Sequence, residues 1–248
     1  MRSENINIEE VREMTSAAVR QRKIALFTGA GFTKELIPDA PTWEGLLKKV
    51  WSKACDELVT VDRTQINTMP AYGKSWYKVA DQMADALGQS NSKEILKSFA
   101  EKVIPVYSDV DTLKVRNWRK VFNRLKPSIA ITTNYDLILE QLLGDGKTFC
   151  NRFPVTHSGD HIPVYHIHGS TMNPMDLVIF EDEAFDTMMP YSYPSLKIPS
   201  VFYEYLTLMF GYGLGDANVL YFLGLAKHLT IRGGGTGKVG KLSVFPVT

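Results

Sequence analysis

The chain has 248 residues, 44% of them hydrophobic, and its 28 Lys and Arg against 27 Asp and Glu leave a formal net charge of +1. This composition excludes a disordered tail and a collagen-like rod. Near-neutrality also supplies no overall electrostatic reason to bind nucleic acid or an anionic membrane. Cys55 and Cys150 are the only cysteines, so neither a CxxC pair nor a cysteine-rich zinc site can form, as expected of a reduced, cytoplasmic protein. The polar N-terminus is unlike a signal-peptide core, and no run approaches the ~18 apolar residues of a membrane span. The length suits one folding unit over 1–248 that carries an elaboration.

In chain order, Ile8, Val11, Met14, Ala18 and Val19 recur at helical spacing and lead into the apolar run Lys23 to Thr28, which predicts a helix followed by a buried strand. Gly29-Ala30-Gly31 ends that strand, and a helix can open from Phe32 to Leu36. From about 42 to 126 the apolar spacing is mostly helical (Trp43, Leu46, Leu47, Val50, Trp51; Trp76, Val79, Ala80, Met83; Ile95, Leu96, Phe99), which predicts a helical insertion or cap. Strand character returns at 128–133, followed by Asn134-Tyr135-Asp136 and an amphipathic helix closed by Gly144. Further strands are expected at 163–168 and 206–210, with a helix from about Ala217 to Leu229. The glycine-rich 232–240 reads as a loop, and 241–247 as a final strand. Four apolar strands thus end in polar or glycine-rich residues. In a parallel α/β sheet those ends share one edge, where ligands bind.

Gly29 and Gly31 lie where backbone amides can approach a phosphate, but position 34 of the usual dinucleotide fingerprint is Lys34, so a plain tight turn is the competing reading. Asn134 can donate and accept hydrogen bonds and Asp136 can accept from an amide or a ribose hydroxyl; an Asx turn or helix cap explains the same residues. His166 and His168 alternate on the expected strand and would face one side. No further metal ligands accompany them, which argues against zinc. His168, at the strand end and followed by Gly169, suits a base that takes a proton from a hydroxyl or water, whereas His166 reads equally as a core histidine. Gly211-Tyr212-Gly213 forms a second phosphate-compatible loop, with Asp216 assigned to capping the next helix. Gly233 to Lys238 imitates a P-loop, but Arg232 and Val239 stand where Gly and Ser/Thr are required.

Taken together and in this order, Gly-Ala-Gly-Phe-Thr at 29–33, Thr-Thr-Asn-Tyr-Asp at 132–136, His-Gly-Ser at 168–170 and Gly-Tyr-Gly-Leu-Gly-Asp-Ala-Asn at 211–218 resemble the NAD-binding core of the sirtuin superfamily, specifically the sirtuin-like branch of bacterial antiphage defence. The resemblance implies a Rossmann-like parallel sheet with helices on both faces and a helical module lacking the zinc ribbon of the deacylating sirtuins. It implies Asn134 and His168 as the catalytic pair, and NAD as substrate with no metal. Gly29, Ala30, Gly31, Phe32 and Thr33 would face the pyrophosphate, Asp136 the carboxamide of nicotinamide, and Gly211, Tyr212 and Gly213 the adenine ribose and phosphates, with Thr133 a further NAD-binding position. The missing cysteines, and Thr133 where deacylating sirtuins usually carry Gln, disfavour protein deacylation. The implied activity is cleavage of NAD to nicotinamide and ADP-ribose by a gated, NAD-depleting effector of abortive infection. Expected partners are further copies of the chain, a hexameric translocase-type ATPase or a short Argonaute protein, without direct nucleic-acid or membrane contact. A non-catalytic NAD or ADP-ribose sensor is the competing reading.

Overall fold

In the computed structural model, residues 8–58, 75–144, 146–150, 161–213, 216–232 and 243–245 are described. Helix α1 (Ile8–Arg20) leads into strand β1 (Ile24–Thr28), every residue of which is buried. The same holds for β2 (Ile129–Thr132) and β5 (Leu206–Phe210). Near-continuous apolar runs of this kind belong to parallel strands covered on both faces. Between β1 and β2 the chain forms α2 (Ala30–Leu36), α3 (Trp43–Glu57), α4 (Trp76–Leu87), α5 (Ser92–Val103) and α6 (Thr112–Leu125). Beyond β2 follow α7 (Ile138–Leu143), β3 (Gly146–Cys150), β4 (Ile162–His166), α8 (Glu181–Met188), α9 (Tyr193–Glu204), β5, α10 (Ala217–Arg232) and β6 (Ser243–Phe245).

The described strands form one parallel sheet in the order β3-β4-β2-β1-β5-β6. In register, Thr28 lies opposite Thr132 on one side and Phe210 on the other, so the ends of β1, β2 and β5 are level. Alternating side chains divide the core. Ile24, Leu26, Leu208 and Phe210 pack with α2, α6 and α7, while Ala25, Phe27, Ile131 and Met209 pack with α9 and α10. The α/β, Rossmann-like arrangement with helices on both faces is therefore as expected. A third core joins α3, α4 and α5 to Tyr135, Leu177, Ile179 and Phe180, and so seats these helices over the segments that leave β2 and β4.

Three details differ from the sequence reading. β4 stops at His166, because the chain turns through Gly169, which has a φ of +79°, and Gly169 N–H donates to the His166 carbonyl. β3 was not anticipated: it is a short edge strand beginning Gly-Lys-Thr, with no apolar run to announce it. Helices α8 and α9 were also missed, and α9 carries Pro199 in its interior, which masks helical character in sequence. Of the expected C-terminal strand, Ser243–Phe245 pairs with β5, whereas the glycine-rich loop from 233 lies outside the described residues.

Candidate active site

At the β1–β5 seam the chain direction diverges: β1 leads through the helices to β2 on one side, and β5 leads through α10 to β6 on the other. A crevice at the strand ends is expected at such a point. A cavity of about 640 Å³ opens there, within the size range of small-molecule sites. The segments that leave β1, β2 and β5 contribute Ala30, Gly31, Thr33, Thr133, Asn134, Asp136, Gly211, Tyr212, Gly213 and Asp216 to its wall. The helical module contributes Trp43, Trp76 and Tyr77 on the opposite side.

Threonines at the strand ends position Asn134. The Thr28 hydroxyl donates to Thr132 Oγ1 (3.0 Å), and Thr132 Oγ1 accepts the Asn134 amide (3.0 Å). The Asn134 side chain is held by its nitrogen, which donates to the Gly29 carbonyl at 3.1 Å and to Thr33 Oγ1 at 2.8 Å. Among the described residues nothing donates to its side-chain carbonyl oxygen, which can accept from a hydroxyl or water. The Thr33 hydroxyl in turn donates a hydrogen bond to Asp136 Oδ2 at 2.7 Å, while Asp136 Oδ1 accepts from the Ile138 amide at 3.1 Å. Burial pushes the Asp136 carboxyl up, against the pull of Thr33 and Ile138.

The glycines act differently from the phosphate cradle considered from sequence. Gly29 N–H donates to the Phe210 carbonyl (3.2 Å) and Gly31 N–H to the Gly211 carbonyl (2.9 Å), so these two amides join the β1 and β5 loops. A Cβ on Gly31 would lie 2.7 Å from Gly211 O, and one on Gly211, whose φ is +59°, would overlap Phe32 N and Gly31 C. Glycine here permits two loops to touch. Phe32 turns away from the cavity and packs on Trp118, Phe122 and Phe210, and Gly29 is likewise outside the cavity wall.

His168 does not line the cavity; its ring, 1% exposed, reaches it through a carboxylate. His168 Nε2 lies 2.7 Å from Asp216 Oδ2, and Asp216 is part of the cavity wall. Since a carboxylate only accepts, Nε2 carries the proton. Val178 N–H donates to the His168 carbonyl at 2.8 Å and fixes its backbone. Asp216 does cap α10, as its sequence position suggested, with Oδ1 accepting Asn218 N–H at 2.8 Å. Its other oxygen, however, belongs to His168, a role that sequence spacing did not show. The two histidines thus serve different carboxylates, because His166 Nε2 meets Glu140 Oε1 at 2.7 Å and its Nδ1 meets the Asn134 carbonyl at 2.8 Å.

The helical module brings residues that sequence reading assigned only to apolar helix faces. Tyr77 packs edge-on against Trp43 and the His168 ring, and Trp43 packs edge-on against Tyr135. The Tyr77 hydroxyl is buried and has no hydrogen-bond partner among the described residues, and burial pushes the Tyr77 and Tyr212 phenols up. The density of Trp and Tyr at 43, 76 and 77 was the available clue. Among the described residues no group of three His, Cys, Asp or Glu is placed to hold a metal ion, and no helix is long and apolar enough to cross a membrane.

Residues 128–234 match the family model of the SIR2-like domain. The matched stretch runs from β2 through α10 and includes Asn134, His168 and the Gly211–Asp216 segment, while the Gly29–Thr33 junction precedes it. No curated protein matches the chain.

Proposed function

From a SIR2-like domain at residues 128–234, a kind of domain that makes NAD-dependent enzymes, we propose that this chain is an NAD glycohydrolase that releases nicotinamide and ADP-ribose. One observation carries the reading: Asn134 and the His168–Asp216 pair, brought from separate strand ends, meet a single cavity at the switch point of the sheet. The wall supports it chemically. It is aromatic and acidic, with no Lys or Arg among the described lining residues, and so complements a pyridinium cation and the cationic ribose that its departure leaves.

In the proposed reaction the bond between ribose C1′ and the ring nitrogen breaks with its electron pair moving to nitrogen. This neutralises the pyridinium, so no acid is needed for departure. Positive charge moves onto the ribose as an oxocarbenium-like state, as in other glycosyl transfers. Water adds to C1′ and its surplus proton is released. The free carbonyl oxygen of Asn134 holds a ribose hydroxyl or the incoming water, and the His168–Asp216 pair supplies the negative and basic face. Ala30, Gly31 and Thr33 face the pyrophosphate, with Gly29 and Phe32 supporting that junction from behind, and Thr133 and Asp136 face the nicotinamide end. Gly211, Tyr212 and Gly213 face the adenine ribose and phosphates.

Following the defence-type resemblance, the physiological role proposed is a gated, NAD-depleting effector of antiphage defence. Its gate is self-assembly or a partner such as a translocase-type ATPase or short Argonaute protein. The test is incubation with NAD at several protein concentrations, with chromatography of the products. Wild type is expected to yield nicotinamide and ADP-ribose, steeply with concentration if assembly gates it, and Asn134→Ala and His168→Ala to lose most turnover. Equal consumption by all three refutes the site. Calorimetric NAD binding without nicotinamide release, with candidate partners added, would instead establish a sensor.

A further inference from the structure

We propose that the Asp216 carboxylate is the charged group that meets the reacting ribose, and that His168 acts behind it as a positioning residue. This rests on the hydrolase reading above and reverses the roles that sequence position suggests for the two residues. The geometry carries it: Asp216 is in the cavity wall with its side chain 14% exposed, whereas His168 is 1% exposed, is not part of that wall, and is in contact with Asp216 and the Tyr77 ring. Of its ring nitrogens, Nε2 is engaged by Asp216 at 2.7 Å and Nδ1 is buried without a hydrogen-bond partner among the described residues, so neither is presented to the cavity.

Asp216 is also held as a group in that position should be. Oδ1 takes the Asn218 amide at the start of α10 and Oδ2 takes the His168 ring, so both rotations of the carboxyl are fixed. Burial alone would raise its carboxyl. The His168 ring and the amides of Asn218 and Val219 outweigh that and hold it below the ordinary value, in the ionised form. The other carboxylate in the wall, Asp136, is no substitute, since it is more deeply buried, at 7% exposure, and that burial pushes its carboxyl up toward the neutral form.

A fixed anion beside the anomeric carbon stabilises the charge that appears only as the glycosidic bond breaks. Water that has bonded to C1′ is strongly acidic, so even this weak base removes its proton: the new C1′–O bond keeps the oxygen, the proton passes to the Asp216 carboxylate, and from there to solvent. His168 keeps the carboxylate aimed throughout.

The experiment compares steady-state NAD cleavage by the full chain, under whatever conditions activate wild type, for Asp216→Asn, His168→Gln, His168→Ala and Asp216→Asn/His168→Ala. Asparagine retains the oxygen that caps α10 and removes only the charge, and circular dichroism melting checks that the fold is kept. Expected are a kcat loss on the order of 10²-fold or more for Asp216→Asn with KM within about threefold. His168→Gln, whose amide nitrogen still donates to Asp216, is expected to retain activity to within about tenfold of wild type, and the double variant to be no worse than Asp216→Asn. A folded Asp216→Asn with kcat within about threefold of wild type, or a His168→Gln as inactive as His168→Ala, overturns the assignment while leaving the hydrolase reading in place. A wild type that releases no nicotinamide overturns both.

Discussion

Thr33 Oγ1 accepts from the Asn134 side chain and donates to Asp136, so one hydroxyl sets the orientation of one polar residue and satisfies the buried oxygen of another. Thr33→Val preserves shape but removes both functions, leaving Asp136 Oδ2 buried without its donor. The expected cost is ~1–3 kcal/mol in urea unfolding. NAD turnover should fall at least about tenfold as Asn134 loses one of its two anchors, since small misplacement of a positioned group is expensive. Thr33→Ser should recover most of both; a Thr33→Val protein with wild-type kcat would show that Asn134 needs no such anchor. Tyr77 predicts the opposite combination. Its hydroxyl is buried without a partner among the described residues, so Tyr77→Phe relieves a desolvation cost and should leave the melting temperature unchanged or higher. If that hydroxyl contacts substrate, the same change raises KM about fivefold, equivalent to roughly 1 kcal/mol of one lost hydrogen bond. Thermal melting and Michaelis kinetics on one preparation check both halves.

At the scale of elements, the site depends on the contact between the loop after β1 and the loop after β5, made by Gly29 and Gly31 amides and Phe210 and Gly211 carbonyls. Gly211→Ala places a methyl group against Phe32 N and Gly31 C in a left-handed backbone, so strain and overpacking act together. A loss of at least ~1–3 kcal/mol is expected in denaturant melts. Gly213→Ala serves as the control: it meets nothing within 4 Å and should be stable. Equal stability of the two variants would show that the loops do not interlock. The glycines were visible in sequence as a pair of short motifs, because positions of close backbone approach tolerate no other residue. Their mutual contact was not visible, because Gly31 and Gly211 are 180 positions apart and nothing local relates them. The main buried strands were legible because both faces are covered and their apolar runs are unbroken. Edge strand β3 and the proline-bearing α9 had no such local signal. For the same reason Asp216 read as a helix cap: its capping bond is two residues away, its bond to His168 is 48.

For the molecule as a whole, the other histidine carries the larger consequence for stability. His166 bridges two acceptors, the Asn134 carbonyl and Glu140 Oε1, so both ring nitrogens donate and the ring is an imidazolium paired with a carboxylate. Thr148 on β3 donates to the same Glu140 oxygen, which ties β2, β4, β3 and α7 into one buried unit. Burial alone would lower the His166 pKa, but the bond and charge of Glu140, with the Asn134 carbonyl and the Asp136 charge, raise it above the ordinary 6.5. Burial would raise Glu140, but His166 and Thr148 hold it below the ordinary 4.5. For His166, whose folded pKa is raised, the stabilisation is complete below 6.5 and declines as pH climbs through the folded value. For Glu140, whose folded pKa is depressed, it is complete above 4.5 and declines as pH falls through the folded value. Both contributions are therefore full between 4.5 and 6.5. Urea unfolding of wild type should show stability decreasing from pH 6.5 upward, and the difference between wild type and His166→Asn should shrink over the same range. Glu140→Gln, which strands the buried cation, should cost about 3–5 kcal/mol at pH 6, more than replacing both partners by Leu and Met. A difference between wild type and His166→Asn that stays constant from pH 6 to 9 would mean that the ring is not charged, and that the Asn134 carbonyl is held by hydrogen bonding alone.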